Sequence, residues 1–313
     1  MFGNKRLTSL LGMLGPFIGL LLIVTIITIL NPSFLTIDNL LNVLRQVSIN
    51  ALIAFGMTFV ILTGGIDLSV GSTLAFSGAV TATMMASGID PLIAILSGLI
   101  IGTLLGAFNG FIIAKGKVAP FIATLATMTI YRGLTLMFTD GRPVSGLGES
   151  TLFEMMGKGY FFGIPVPAMT TMVTFLILYL LLKKTTFGRR VYAVGGNEEA
   201  AILSGISATR IKIYVYSLTG FLAALAGIIL TSRLNSAQPT AGQMYELDAI
   251  AAVVLGGTSL TGGKGWIVGT IIGALIIGVL NNGLNLLGVS SFFQQVVKGS
   301  VILLAVLLDR KKA

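Results

Sequence analysis

The sequence predicts an all-α integral membrane protein: a polytopic bundle of about ten transmembrane helices with an imperfect internal repeat and a short helix in a cytoplasmic loop. Three observations carry that expectation. Of 313 residues, 55% are hydrophobic and 10% charged, and the mean hydropathy is +0.97, which is more apolar surface than a soluble core of this size can hide. The apolar residues fall into runs long enough to cross a bilayer. Lys and Arg gather between those runs on one side.

Cutting the chain at charges, prolines and polar stretches gives ten candidate spans, near 12–31, 48–64, 68–88, 91–114, 118–138, 167–183, 213–232, 246–261, 267–288 and 292–308. The first follows Lys5 and Arg6 and superficially resembles a signal peptide. Its apolar run from Leu10 to Leu30 exceeds an h-region and no A-x-A site follows, so it reads as a span. The third and eighth have Gly-rich polar approaches, Thr63 to Ser72 and Gly256 to Gly265, where a broken or re-entrant helix is an alternative.

Orientation follows from charge. With both ends in the cytoplasm, that side receives Lys5, Arg6, Lys115, Lys117, Lys183, Lys184, Arg189, Arg190, Arg210, Lys212, Lys264, Arg310, Lys311 and Lys312. The other side receives Arg45, Arg142, Lys158 and Arg233, and Arg132 and Lys298 stay in or at the ends of spans. An even number of spans permits this bias. The net charge of +9 therefore follows the membrane and asks for no nucleic acid. Residues 1–313 read as one transmembrane domain with an inner loop at about 183–212 and an outer one from Thr139 to Pro167.

GGIDLSVGS at Gly64–Ser72 and GGTSLTGGK at Gly256–Lys264 share G-G-x-x-L-[ST]-x-G, each after an apolar run descending toward the cytoplasm. IIGTLLGAFNG near Gly102 and IIGALIIGVLNNG near Gly273 also look alike but run in opposite directions, so the repeat is partial or one span is miscounted. Interrupted helices at repeat interfaces often line transport pathways, which makes Gly64, Gly65, Gly256 and Gly257 hinge or pathway candidates; the plainer reading is that Gly-Gly ends a helix. Gly98, Gly102, Gly106 and Gly110 share one helix face, and Gly269 and Gly273 repeat the idea. They predict close backbone packing, within one chain or between two copies.

Intramembrane polar groups are functional leads. Asp67 suits a helix N-cap or lock, with a part in gating as the sharper alternative. Glu246 and Asp248 read as solvated groups at the outer start of the eighth span, and Lys298 as a snorkelling or paired cation without an assigned partner. Asn109, Asn281, Asn282 and Asn285 are amides that could line a pathway or, more commonly, tie helices together.

With no Cys and no His, the commonest metal and proton-shuttle chemistry is excluded, and no metal or cofactor is expected in this chain. The nearest approach to a P-loop puts Thr258 where the first Gly belongs and Gly265 where the hydroxyl belongs, so the chain is not expected to hydrolyse ATP. Energy comes from elsewhere, or the protein is a passive pore. In the inner loop, Asn197 is an N-cap, Glu198 and Glu199 supply first-turn negative charge, Ala200 to Leu203 continue the helix and Gly205 closes it. A helix this short is marginal alone and is expected to dock on something.

The segments VILTGGIDLSVGS, YAVGGNEEAAILSGI, SAQPTAGQMYELDAIAAVVLGGTSLTGGKG and NNGLNLLGVSSFFQQVVKGSVILLAVLLDRKK closely resemble the permease subunit of bacterial ribose ABC transporters, over nearly the whole chain and least before about Pro32. The resemblance implies a multi-pass inner-membrane protein that pairs with a second copy of itself. It also implies cytoplasmic ATP-binding subunits that hold ATP and Mg, and an extracytoplasmic sugar-binding protein that delivers a monosaccharide such as ribose. By the same resemblance Gly196, Asn197, Glu198, Ala200, Ala201 and Gly205 would contact the ATPase. Thr139 to Pro167 and Asn235 to Glu246 are expected to meet the binding protein. The rival expectation is a gradient-driven secondary sugar carrier or facilitator, disfavoured by the lack of titratable groups in mid-membrane.

Overall fold

The computed structural model describes residues 3–310, with side chains over 15–301 and at 303. Helix α1 (Gly3–Leu30) leads through a 3-10 turn (Pro32–Leu35) into α2 (Ile37–Leu62). Then come α3 (Val70–Ala86), α4 (Pro91–Lys115) and α5 (Pro120–Phe138). A non-helical stretch, the short α6 (Thr151–Lys158) and the hairpin β1 (Tyr160–Phe161) and β2 (Ile164–Pro165) precede α7 (Val166–Lys184). Two short helices, α8 (Thr186–Gly196) and α9 (Glu198–Leu203), lead into α10 (Ala208–Leu234), and α11 (Tyr245–Leu255), α12 (Ile267–Leu286) and α13 (Ser291–Arg310) complete the order.

Among the described residues, six helices are long and apolar enough to cross a membrane: α2, α4, α5, α7, α10 and α12. Gly15–Leu30 of α1 and the whole of α3 are shorter apolar helices. The all-α membrane bundle expected from hydropathy is thus present at this level.

Several boundaries differ from the expected spans, α1 starting at Gly3 and α10 at Ala208 among them, and two have a cause in particular residues. The second begins at Ile37, not near 48, because its polar first turns are held by the protein: Asn39 exchanges amide hydrogen bonds with Asn282 at 3.0 and 2.9 Å, and the Arg45 guanidinium lies 4.5 Å over the Tyr160 ring. The eighth, expected to 261, stops at Leu255. Gly256 caps it and Gly257 follows at φ +84°, a left-handed conformation that ends a helix.

Helix α10 is the central post, packed by α2, α3 and α4. The glycine face of α4 meets it within the chain: a Cβ at Gly106 would overlap the Tyr216 carbonyl, and one at Gly110 would stand 2.7 Å from the Ile213 Cα. The opposite face of α4, with Leu96, Ile100, Leu104, Phe108 and Phe111, is exposed and suited to lipid. Gly269 and Gly273 of α12 sit in the same way against Gly256 and Ala252 at the end of α11.

The antiparallel pairing of α4 and α10 brings Lys115, Lys117, Arg210 and Lys212 to one face of the bundle. Lys183 and Lys184 at the end of α7, Arg189 and Arg190 on α8, and Lys264 belong to the same basic face.

Candidate functional site

At the basic face the tails of α2, α8 and α11 meet in one knot of backbone. The Gly263 N–H donates to the Leu62 carbonyl at 3.0 Å. A Cβ at Gly262 would lie 3.0 Å from the Gly64 nitrogen and 2.8 Å from the Gly195 carbonyl; one at Gly263 would lie 2.7 Å from the Gly196 Cα. Gly65 abuts the Tyr216 hydroxyl. Tyr192 of α8 donates to the Gly265 carbonyl at 2.8 Å, its phenol pKa raised by burial so that it stays a donor, and Trp266 Nε1 donates to the Gly256 carbonyl at 2.9 Å. Gly64 of the first Gly-Gly segment therefore touches the far end of the second, at Thr261 and Gly262, which also meets the end of α8, whereas the hinge candidates Gly256 and Gly257 pack against Gly269 and Trp266.

Helix α9 projects beside this knot. The Ala200 N–H donates to Asn197 Oδ1 at 2.9 Å, and Gly205 turns the chain away at φ +81°. Glu198 pairs with Lys212 at 2.7 Å. Gly196, Asn197, Glu198, Ala200 and Gly205 are exposed, whereas Ala201 packs inward and offers no surface to a partner. Leu203, 90% exposed, and Ile202 beside it are apolar groups at the tip of this platform that sequence reading did not single out.

Several intramembrane candidates are hydrogen-bonded within the chain. Asp67 Oδ1 accepts from the Ser69 N–H at 2.9 Å and the Ser69 hydroxyl at 2.7 Å; Asn109 Nδ2 donates to Ser69 Oγ at 2.7 Å, and Tyr131 donates to Asn109 Oδ1 at 3.3 Å. Both Asp67 and Asn109 are buried, and the network holds the non-helical segment 63–69 against α4 and α5. Asn282 is tied to Asn39, Asn285 accepts from Gln294, and buried Asn281 Oδ1 has no partner. Asp248 is 4% exposed and bonded to Lys298 at 3.1 Å. This corrects the expectation that Asp248 is a solvated surface group, and it supplies the partner of Lys298.

Two interrupted segments converge inside the bundle. Segment 63–69 leaves the knot and α3 begins part-way along α10, with Gly227 against Leu74 and Thr231 against Gly78. From the opposite face, residues 235–244 turn inward and are held by Arg132 Nη1, which donates to the Pro239 and Ala241 carbonyls at 2.7 and 2.8 Å. Helix α11 starts there. A Cβ at Gly71 would overlap the Gly242 carbonyl and stand 2.8 Å from Glu246 Oε2, and Gly242 itself sits at φ +71°. The first turns of α3 and α11 thus face one another at a depth set by the middle of α10.

Beside this junction lies a chamber of about 620 Å³, lined by Ser72, Met128, Thr129, Arg132, Gly133, Leu136, Gln243, Met244, Glu246 and Gln295. The buried Ser72 hydroxyl has no hydrogen-bond partner within the chain. One cation, one anion, two amides and two hydroxyls among methionines and Leu136 suit an uncharged polar solute. Among the described residues, no group of three or more His, Cys, Asp or Glu could hold a metal. Sequence reading passed over this chamber, although Arg132 inside an apolar span is the kind of signal that marks one.

Comparison with known proteins places residues 39–306 on the model of the branched-chain amino acid transport system / permease component family. The chain is 70% identical over 300 residues to the ribose import permease protein RbsC of Bacillus subtilis (strain 168), covering 96% of this chain and 93% of that protein. It is 57% identical over 297 residues to the ribose import permease protein RbsC of Escherichia coli (strain K12), covering 94% and 92%. To the D-allose transport system permease protein AlsC of the same strain it is 44% identical over 298 residues, covering 95% and 91%. No solved structure matches the chain significantly.

Proposed function

The chain belongs to the branched-chain amino acid transport system / permease component family, and from that premise we propose that it is the membrane-spanning subunit of an ATP-driven importer for ribose or a related monosaccharide. The family description names branched-chain amino acids; the sugar comes from relatives whose names say ribose and allose. In this reading the basic face is cytoplasmic, both ends lie there, and ten segments cross a bacterial inner membrane. Six are the long helices; α1 and α13 add two, and the interrupted units 63–86 and 235–255 supply the rest.

Platform α8–α9 meets a separate ATP-binding subunit, which holds ATP and Mg. A second copy of the chain and a sugar-binding protein complete the assembly. The binding protein docks at the other face, where the Val144–Ala237 bridge joins the stretch after α5 to the one after α10. The observation that carries this mechanism is the backbone knot. A push on α9 reaches Gly195 and Gly196 at the end of α8, and from there both Gly-Gly breaks, with no flexible linker between.

The test is uptake of labelled ribose into proteoliposomes holding this chain with its ATPase and binding protein, with ATP trapped inside or omitted. Uptake requiring both ATP and the binding protein is expected. Uptake by this chain alone without ATP would instead assign a facilitator.

A further inference from the structure

We infer that the chamber beside the facing first turns of α3 and α11 is a seat for the sugar in transit, with Ser72, Arg132, Gln243, Glu246 and Gln295 as its hydrogen-bonding groups. The inference rests on the importer reading and adds to it a location and a chemistry. Its volume of about 620 Å³ falls in the range of small-molecule sites, about 300–1,000 Å³.

The independent sign of a ligand is Ser72, whose hydroxyl is buried, lines the chamber and has no partner in the chain. A buried donor left alone costs free energy, so it calls for a group that arrives from outside. Arg132 and Glu246 balance each other's charge, so the seat favours a neutral polyol over an ion. Glu246 and the amides accept from hydroxyls, Arg132 and the amides donate, and Met128, Leu136 and Met244 offer apolar surface to a sugar's C–H face.

The seat is also mechanically connected to the knot. Helix α11 carries Glu246 in its first turn and ends at Leu255–Gly256 in the knot; its 11 residues make a rod of about 16 Å. Lys298 clips α13 to Asp248 on that rod, one turn from Gln295 on the chamber wall. A displacement of the knot therefore moves two walls of the seat together.

The chain has no cysteine, so an introduced thiol is the single one on it and is read on this subunit after separation from its partners. Thr129→Cys and Gln243→Cys, both at exposed lining positions, and Ser87→Cys, exposed and outside both the chamber and the outer stretch 139–167, would each be assembled with the ATPase and binding protein and labelled with a small maleimide. Ribose is expected to slow labelling at the two chamber positions severalfold and leave Ser87→Cys unchanged. In the Thr129→Cys complex, adding Glu246→Gln is expected to raise about tenfold the ribose concentration that protects the thiol, the scale of one lost hydrogen bond to a charged group. Labelling that ribose leaves unchanged at both chamber thiols, in complexes that still import ribose with ATP, would overturn the seat and leave the importer standing. ATP-independent uptake by the unaltered chain would overturn the importer reading itself.

Discussion

Asp248 and Lys298 show what one ion pair does at depth. The carboxylate is buried, its partner is only partly exposed, and together they fasten α13 to α11. Replacing Lys298 by Met strands a buried charge, so the folded protein should lose about 3 kcal/mol, read as a lower unfolding temperature in detergent. Adding Asp248→Asn should recover much of that loss, because the stranded charge is gone; a double variant no more stable than Lys298→Met would show that the pair is not what holds α13. Glycine gives the second test at this scale. Gly106→Val drives a side chain into the Tyr216 carbonyl and should abolish recovery of a monodisperse protein. Gly299→Ala, on α13 with nothing within 4 Å of its new Cβ, should fold normally and gain up to about 1 kcal/mol.

At the scale of elements, legibility followed the range of the interactions. Helix α9 was readable because its signals are local: the Asn197 cap, the acidic first turn and Gly205 all act within a few residues. The glycine face of α4 was readable as a packing surface, but its partner α10 lies far along the chain and no local pattern names it. The first turns of α2 were hidden for the opposite reason, since Asn39 and Arg45 look like loop residues until Asn282 and Tyr160 are brought to them. The chamber stayed unread because its walls come from α3, α5, the stretch before α11, α11 itself and α13. A prediction follows for α9. The exposed Glu198–Lys212 pair contributes under about 1 kcal/mol, so Glu198→Lys should leave the unfolding temperature nearly unchanged while uptake falls. If Lys212→Glu restores uptake, the pair merely positions α9; if uptake stays lost, Glu198 contacts the ATPase directly. Leu203→Asp should cut co-purification of the ATPase at least tenfold, because an apolar tip so exposed is suited to burial in a partner.

For the whole molecule, the number of crossings cannot be counted from long helices alone. A bilayer core of about 30 Å needs about 20 helical residues, and α11 has 11. The stretch 235–244 makes up the difference by entering from one face in non-helical form, with the Pro239 and Ala241 carbonyls taken by Arg132 and that of Ala237 by the Val144 N–H. Segment 63–69 does the same for α3 from the other face, using Asp67, Ser69 and Asn109. If each unit is a complete crossing, the loop 256–266 must open on the same side as α9, since both belong to the knot. In the cysteine-free chain, Thr261→Cys and Ser204→Cys should then resist an impermeant thiol reagent in intact cells and react once the membrane is permeabilised, whereas Glu149→Cys should react from outside. Labelling of Thr261→Cys from outside would make 235–266 a re-entrant loop. It would also separate the two Gly-Gly breaks onto opposite faces, a separation that the hydrogen bond from Gly263 to Leu62 forbids.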